Sequence, residues 1–185
     1  MWTIPNILSL LRIALIPVLI LVYLLPSPSA AMWSAIVFMV AGFTDALDGY
    51  LARRWQQTSA FGAFIDPVAD KLLVAIALLL ILYRIPTWYI LLPVLVIISR
   101  EITVSALREW MAELGERQQV QVSSLGKMKT AFQMLSITCL LYAQPLLGLP
   151  LLEVGIGLLY FAAVLTISSM ISYLKAAWPT LQARR

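Results

Sequence analysis

The sequence predicts an all-α integral membrane protein of six transmembrane helices with both termini in the cytoplasm. Three observations predict it. Of 185 residues, 62% are hydrophobic and 12% charged, far from the roughly one half and one quarter of soluble domains. Apolar runs recur that are long enough to cross a hydrocarbon core of about 30 Å, at about 1.5 Å per helical residue. Lys and Arg concentrate on alternate connections, as expected when positive charge is retained on the cytoplasmic face.

The first span, 5–25, lacks the basic start and small-residue cleavage site of a signal peptide and is expected to stay in place. Asn6 and Arg12 interrupt its apolar run, and Arg12 is expected to snorkel to the interface, contact with phosphates of a donor being the alternative. "LPSPSA" separates it from a second span over 31–54. That span ends in "DALDGYLARR", and the third, 62–83, opens on "GAFIDPVADK". "YRIPTW" leads into the fourth, 87–112. The polar, basic "REWMAELGERQQVQVSSLGKMK" leads into the fifth, 125–145, and "QPLLGLP" turns the chain into the sixth, 150–174. Pro17 and Pro93 are expected to kink their spans. Trp2, Trp33, Trp88 and Trp178, near span ends, suit interfacial anchors.

With this division, Arg84 alone of the 13 basic residues falls on the outer side. The net charge of +4 therefore reflects membrane topology, and nucleic acid is excluded as a partner. The lone Cys139 sits in the apolar run "SITCLLYA" and behaves as a small hydrophobe. The chain has no His, which removes the commonest general base and metal ligand and leaves carboxylate oxygens for both roles. No internal repeat supports a transporter of two matching halves. The whole of 1–185 is expected to form one catalytic membrane domain.

Four of the nine acidic residues lie on two adjoining spans. Asp45 and Asp48 are three residues apart, Asp66 and Asp70 four, so each pair lies on one face of a helix. A short connection predicts that the two spans are antiparallel neighbours with the pairs at one depth. Four carboxylates in a poorly hydrated site repel one another and lose solvation. Divalent cations resolve the conflict, and an all-oxygen donor set favours two Mg²⁺ or Mn²⁺ ions. Such pairs suit in-line displacement at phosphorus. Gly62 lies on the stripe of Asp66 and Asp70, Gly49 and Ala52 extend the stripe of Asp45 and Asp48, and Arg53 offers a fork for phosphate oxygens. Isolated intramembrane acids and small residues can also serve helix packing. Their joint occurrence with an arginine favours a functional site.

Asp45, Asp48, Gly49, Ala52, Arg53, Gly62, Asp66 and Asp70 resemble, without departure, the signature of the CDP-alcohol phosphatidyltransferases, D-x-x-D-G-x-x-A-R, eight residues, G-x-x-x-D-x-x-x-D. The resemblance implies a six-helix bundle of that family's type, a two-metal site facing the cytoplasm, a CDP-linked lipid donor and a homodimer. It implies that Asp45, Asp48, Asp66 and Asp70 bind metal and that Asp70 is also the catalytic base. Gly49, Ala52, Arg53 and Gly62 are similar to the family's CDP-binding positions.

"IPNILSLLRIALIP" and the stretch from Arg100 to Met134 resemble the bacterial branch of the family whose acceptor is glycerol 3-phosphate. That likeness implies an enzyme of phospholipid biosynthesis in the bacterial inner membrane, taking CDP-diacylglycerol as donor among the membrane lipids. A phosphorylated acceptor needs cations at the cytoplasmic mouth. Arg100 and Arg108 share a helix face in the fourth span and Lys127 opens the fifth, so these three are expected to bind the acceptor phosphate, Lys129 being a weaker candidate. Basic residues there also serve topology and lipid contacts, and Glu101, Glu109, Glu113 and Glu116 are placed to neutralise them. Inositol phosphate or serine as acceptor, and a divalent-cation transporter using the same acids, are the alternatives.

Overall fold

The computed structural model describes residues 4–55, 60–115 and 124–183. Side chains at 4, 5, 46, 48–53, 55, 60, 61, 63, 124–127, 179–181 and 183 lie outside the description. The described residues form six helices: α1 (Ile4–Leu24), α2 (Ala30–Trp55), α3 (Ala60–Arg84), α4 (Trp88–Glu113), α5 (Ser124–Tyr142) and α6 (Leu151–Ala183). Each expected span coincides with one helix, and α6 runs on past 174. Three helices are long and apolar enough to cross a membrane among the described residues, at Asn6–Leu24, Trp88–Glu113 and Leu151–Trp178, with a shorter apolar run at Ala30–Asp45. Acidic and basic residues that interrupt α2, α3 and α5 lower their hydropathy.

Between α5 and α6 the chain makes a short hairpin, β1 (Pro145–Leu146) and β2 (Leu149–Pro150), paired antiparallel. Both central residues have positive φ, Leu147 at 51° and Gly148 at 81°, the requirement of a tight two-residue turn matched to strand twist. The Pro-marked stretch had been expected only as a connection. Two-residue strands are too short to register as alternation.

α1 packs extensively on both α2 and α3, and α2 and α3 also touch, to a smaller extent among the described residues. The two spans are thus neighbours, as their short connection predicts, with the first helix lying against both. α5 packs on α6 and α2, and α4 packs on α6. The main core joins α1, α2, α3, α4, α5 and α6 through residues such as Leu19, Phe38, Leu73, Ile97, Ile137 and Leu159, all buried. A smaller cluster of Val104, Met111, Tyr173 and Ala177 joins α4 to α6. Lipid tails are as apolar as these side chains, so close packing and interhelical hydrogen bonds, rather than transfer from water, hold such a bundle. At one crossing Ser136 on α5 donates to the Gly155 carbonyl on α6 over 2.8 Å. Cys139 is buried beside it, and its thiol is free. Trp33, Trp88 and Trp178 are exposed, as expected of anchors, while Trp2 lies outside the described residues.

Candidate active site

The site is built on a face of α1 that the sequence reading did not credit. Asn6, Ser9 and Arg12 recur every three residues, so they stack on one side of the helix, and all three are buried. Ser9 Oγ donates to Asp66 Oδ1 on α3. Arg12 Nη1 donates to Asp70 Oδ1 on α3 and lies 3.0 Å from Asp45 Oδ1 on α2. The Arg12 side chain is 0% exposed, against 47% for Asp45 and 44% for Asp70. A guanidinium so enclosed is tolerated only when its charge is met by carboxylates. Snorkelling, expected for Arg12, is therefore corrected: the cation turns inward and ties three helices together. Its partners sit on other helices, where spacing along α1 cannot reveal them. The spacing of Asn6, Ser9 and Arg12 in an apolar run was the available signal for the face itself.

In this contact group of described side chains, the carboxyl groups of Asp45, Asp66 and Asp70 outnumber the one guanidinium of Arg12. Lys71, next in sequence to Asp70, points elsewhere and donates to Ser105 Oγ on α4. Arg54 is exposed. The donor set is wholly oxygen, which fits a hard divalent cation in kind and in charge. In position, no three acidic, His or Cys side chains draw close enough to hold an ion among the described residues. Asp45 and Asp70 meet through Arg12, and Asp66 is turned to Ser9. Gly62 is buried on α3. Asp48, Gly49, Ala52, Arg53 and Lys127 lie on helical backbone but outside the described side chains.

The cationic residues form a separate cluster where α4, α5 and α6 meet. Arg100 is buried. Its Nη2 donates to Ser169 Oγ over 3.1 Å, Nη1 lies 3.4 Å from Glu101 Oε1, and its guanidinium carbon stands 5.6 Å from the centre of the Tyr173 ring. Glu101 Oε1 also receives Lys129 Nζ, itself buried. One carboxylate thus faces two cations, leaving a positive charge inside the bundle. Arg108 is exposed further along α4. The structure separates Arg100 and Arg108 by burial, and it gives Lys129, the weaker sequence candidate, a place beside Arg100. Glu101 offsets part of the charge of Arg100 and Lys129.

The family model for the CDP-alcohol phosphatidyltransferases matches residues 2–171. A protein of Salmonella choleraesuis strain SC-B67 named "CDP-diacylglycerol--glycerol-3-phosphate 3-phosphatidyltransferase" is 51% identical over 176 residues, 95% of each chain. Proteins of the same name from Shigella flexneri serotype 5b and Pectobacterium atrosepticum are 50% and 49% identical over 95% of each chain.

Proposed function

The chain belongs to the CDP-alcohol phosphatidyltransferase family, and from that premise we propose that it transfers the phosphatidyl group of CDP-diacylglycerol to sn-glycerol 3-phosphate. The products are phosphatidylglycerol phosphate and CMP, and the chain is a transferase of phospholipid biosynthesis. The observation that carries this reading is identity of about half over 95% of both chains to bacterial proteins named for that reaction.

The family works with a divalent metal. Asp45, Asp48, Asp66 and Asp70 would hold two Mg²⁺ or Mn²⁺ ions, whose chemistry is to offset charge on the diphosphate and to acidify the acceptor hydroxyl. Gly49, Ala52 and Gly62 leave room for the cytidine end of the donor, and Arg53 meets its phosphates. Asp70 takes the proton of the 1-hydroxyl of glycerol 3-phosphate, with its carboxylate oriented by Arg12. The hydroxyl oxygen bonds to the lipid-side phosphorus, the bond from that phosphorus to the CMP oxygen breaks, and CMP leaves. Arg100, Arg108 and Lys127 hold the acceptor's own phosphate. The pairing of Glu101 with both Arg100 and Lys129 supports the part of Arg100 in that assignment, because a phosphate dianion needs cations that are not fully neutralised.

Six membrane crossings, cytoplasmic termini and a site at the cytoplasmic boundary of the bacterial inner membrane complete the proposal, with a homodimer as the assembly. Arg84, the lone outer cation, lies 5.8 Å from the Tyr23 ring centre, at the ends of α3 and α1 away from the carboxylates. That arrangement supports the orientation: CMP and the acceptor reach the site from water while acyl chains stay in lipid.

The test is CMP release by purified protein supplied with CDP-diacylglycerol and glycerol 3-phosphate, inositol phosphate or serine in turn. Glycerol 3-phosphate alone is expected to give CMP. Release with another acceptor reassigns the substrate, and metal flux into liposomes with no CMP from any acceptor replaces the enzyme by a transporter.

A further inference from the structure

Arg12 and Ser9 lie on a helix that carries none of the signature residues, yet they contact three of the four signature carboxylates. Arg12 is fully enclosed and meets Asp45 and Asp70 through the same nitrogen, so the carboxylate oxygens of α2 and α3 are drawn to one point. Ser9, one turn away, fixes Asp66. Among the described residues α2 and α3 touch each other less than each packs on α1. Direct packing is therefore a weak means of setting the distance between their carboxylates. These three contacts use Oδ1, and an ionised carboxylate has two oxygens with about four lone-pair sites. A carboxylate can thus accept Arg12 and bind an ion together.

We propose that Arg12, assisted by Ser9, is a positioning residue: it tethers Asp45, Asp66 and Asp70 of α2 and α3 to α1, and the affinity of these carboxylates for a divalent cation depends on that tether. This rests on the reading of those aspartates as metal ligands. Groups that orient metal ligands from behind commonly change affinity by about 10- to 100-fold when removed. Simple charge gives the opposite sign here. Removing a cation beside a cation site relieves repulsion, so charge alone makes Arg12→Gln bind metal more tightly, whereas loss of positioning makes it bind more weakly.

Mn²⁺ binding to detergent-purified protein, followed by the electron paramagnetic resonance of the free ion, separates the two. Arg12→Gln is expected to weaken Mn²⁺ binding about 10-fold or more. Arg12→Lys keeps the charge and a donor and should recover part of the loss, and Ser9→Ala, which leaves the contacts of Arg12 with Asp45 and Asp70 in place, should cost less than Arg12→Gln. Raising Mn²⁺ should restore much of the CMP-forming rate of Arg12→Lys, which damage to the fold would not permit. Affinity in Arg12→Gln equal to or tighter than the parent overturns the proposal. If Arg12→Gln does not fold, parental affinity in both Arg12→Lys and Ser9→Ala overturns it equally. Parent protein that binds no Mn²⁺ overturns it too. Parent protein that binds Mn²⁺ but forms no CMP with any acceptor refutes the enzymatic reading and leaves the positioning test standing.

Discussion

Asp70 accepts Arg12 on Oδ1 and, in the proposed reaction, takes the acceptor's proton. Asn retains the size of the side chain and an oxygen for Arg12 but cannot take up that proton. Asp70→Asn is therefore expected to slow CMP release about 10²- to 10⁴-fold, the range for loss of a general base, with helicity by circular dichroism unchanged. A rate within a few-fold of the parent would remove Asp70 from that role. The four aspartates were legible in the sequence because charge in an apolar chain is conspicuous and their spacing selects one helix face. Their restraints were not. Arg12 in isolation sits near an interface and has water within reach of its long stem, so snorkelling is the lowest-cost solution for a lone arginine. Two carboxylates contributed by other helices reverse that balance. Arg100 has a similar history. Its eight-residue spacing from Arg108 was visible, but burial against Ser169 and Tyr173 depends on how α6 crosses α4.

At the scale of helices, the α5–α6 crossing is set by a glycine. A Cβ placed on Gly155 would come 2.8 Å from Leu140 Cγ and 3.1 Å from Cys139 Cβ, closer than van der Waals contact allows. Ser136 meanwhile bonds the Gly155 carbonyl, which resists separation of the helices. Gly155→Ala is thus expected to destabilise the bundle by about 1–3 kcal/mol, the usual cost of overpacking, measured by unfolding in mixed detergent. In a Leu140→Ala background most of that cost should vanish, giving a coupling of about 0.5–3 kcal/mol between the positions. Equal effects in both backgrounds would show that Leu140 is not the obstacle. Helix positions were readable from the sequence because a membrane span demands an uninterrupted apolar run between polar connections. The full set of helix neighbours was not. A short connection specifies which spans follow one another, while the contact of α1 with both α2 and α3 is decided by Ser9, Arg12 and the shape of three packed surfaces.

Two charge clusters lie apart among the described side chains: Asp45, Asp66 and Asp70 gather about Arg12 and Ser9 on α1, α2 and α3, and Arg100 and Lys129 gather about Glu101 on α4, α5 and α6. Lys71 donates to Ser105 between α3 and α4, at a seam between the two halves. That division suits a reaction joining a metal-bound diphosphate to an anionic acceptor, provided both clusters face the same compartment. Retention of positive charge predicts which one: Lys175 marks the cytoplasmic end of α6, and the hairpin at Leu147 marks the outer end of the α5–α6 pair. Leu147 is 96% exposed and Lys175 is exposed too. The chain's single cysteine is buried, so the background from a thiol reagent should be low. In spheroplasts of a bacterial host, a membrane-impermeant maleimide should label Leu147→Cys directly and Lys175→Cys only after the membrane is opened. The reverse pattern would turn both charge clusters toward the outer face, away from cytosolic CMP and glycerol 3-phosphate, and the proposed transfer would lose its access to substrate. Labelling of both sites in intact spheroplasts would place the ends of α6 on one side and rule out α6 as a membrane crossing. The α6 run at Leu151–Trp178 is among those long and apolar enough to span, so its length and composition predict opposite labelling of its two ends, while the direction depends on the basic residues.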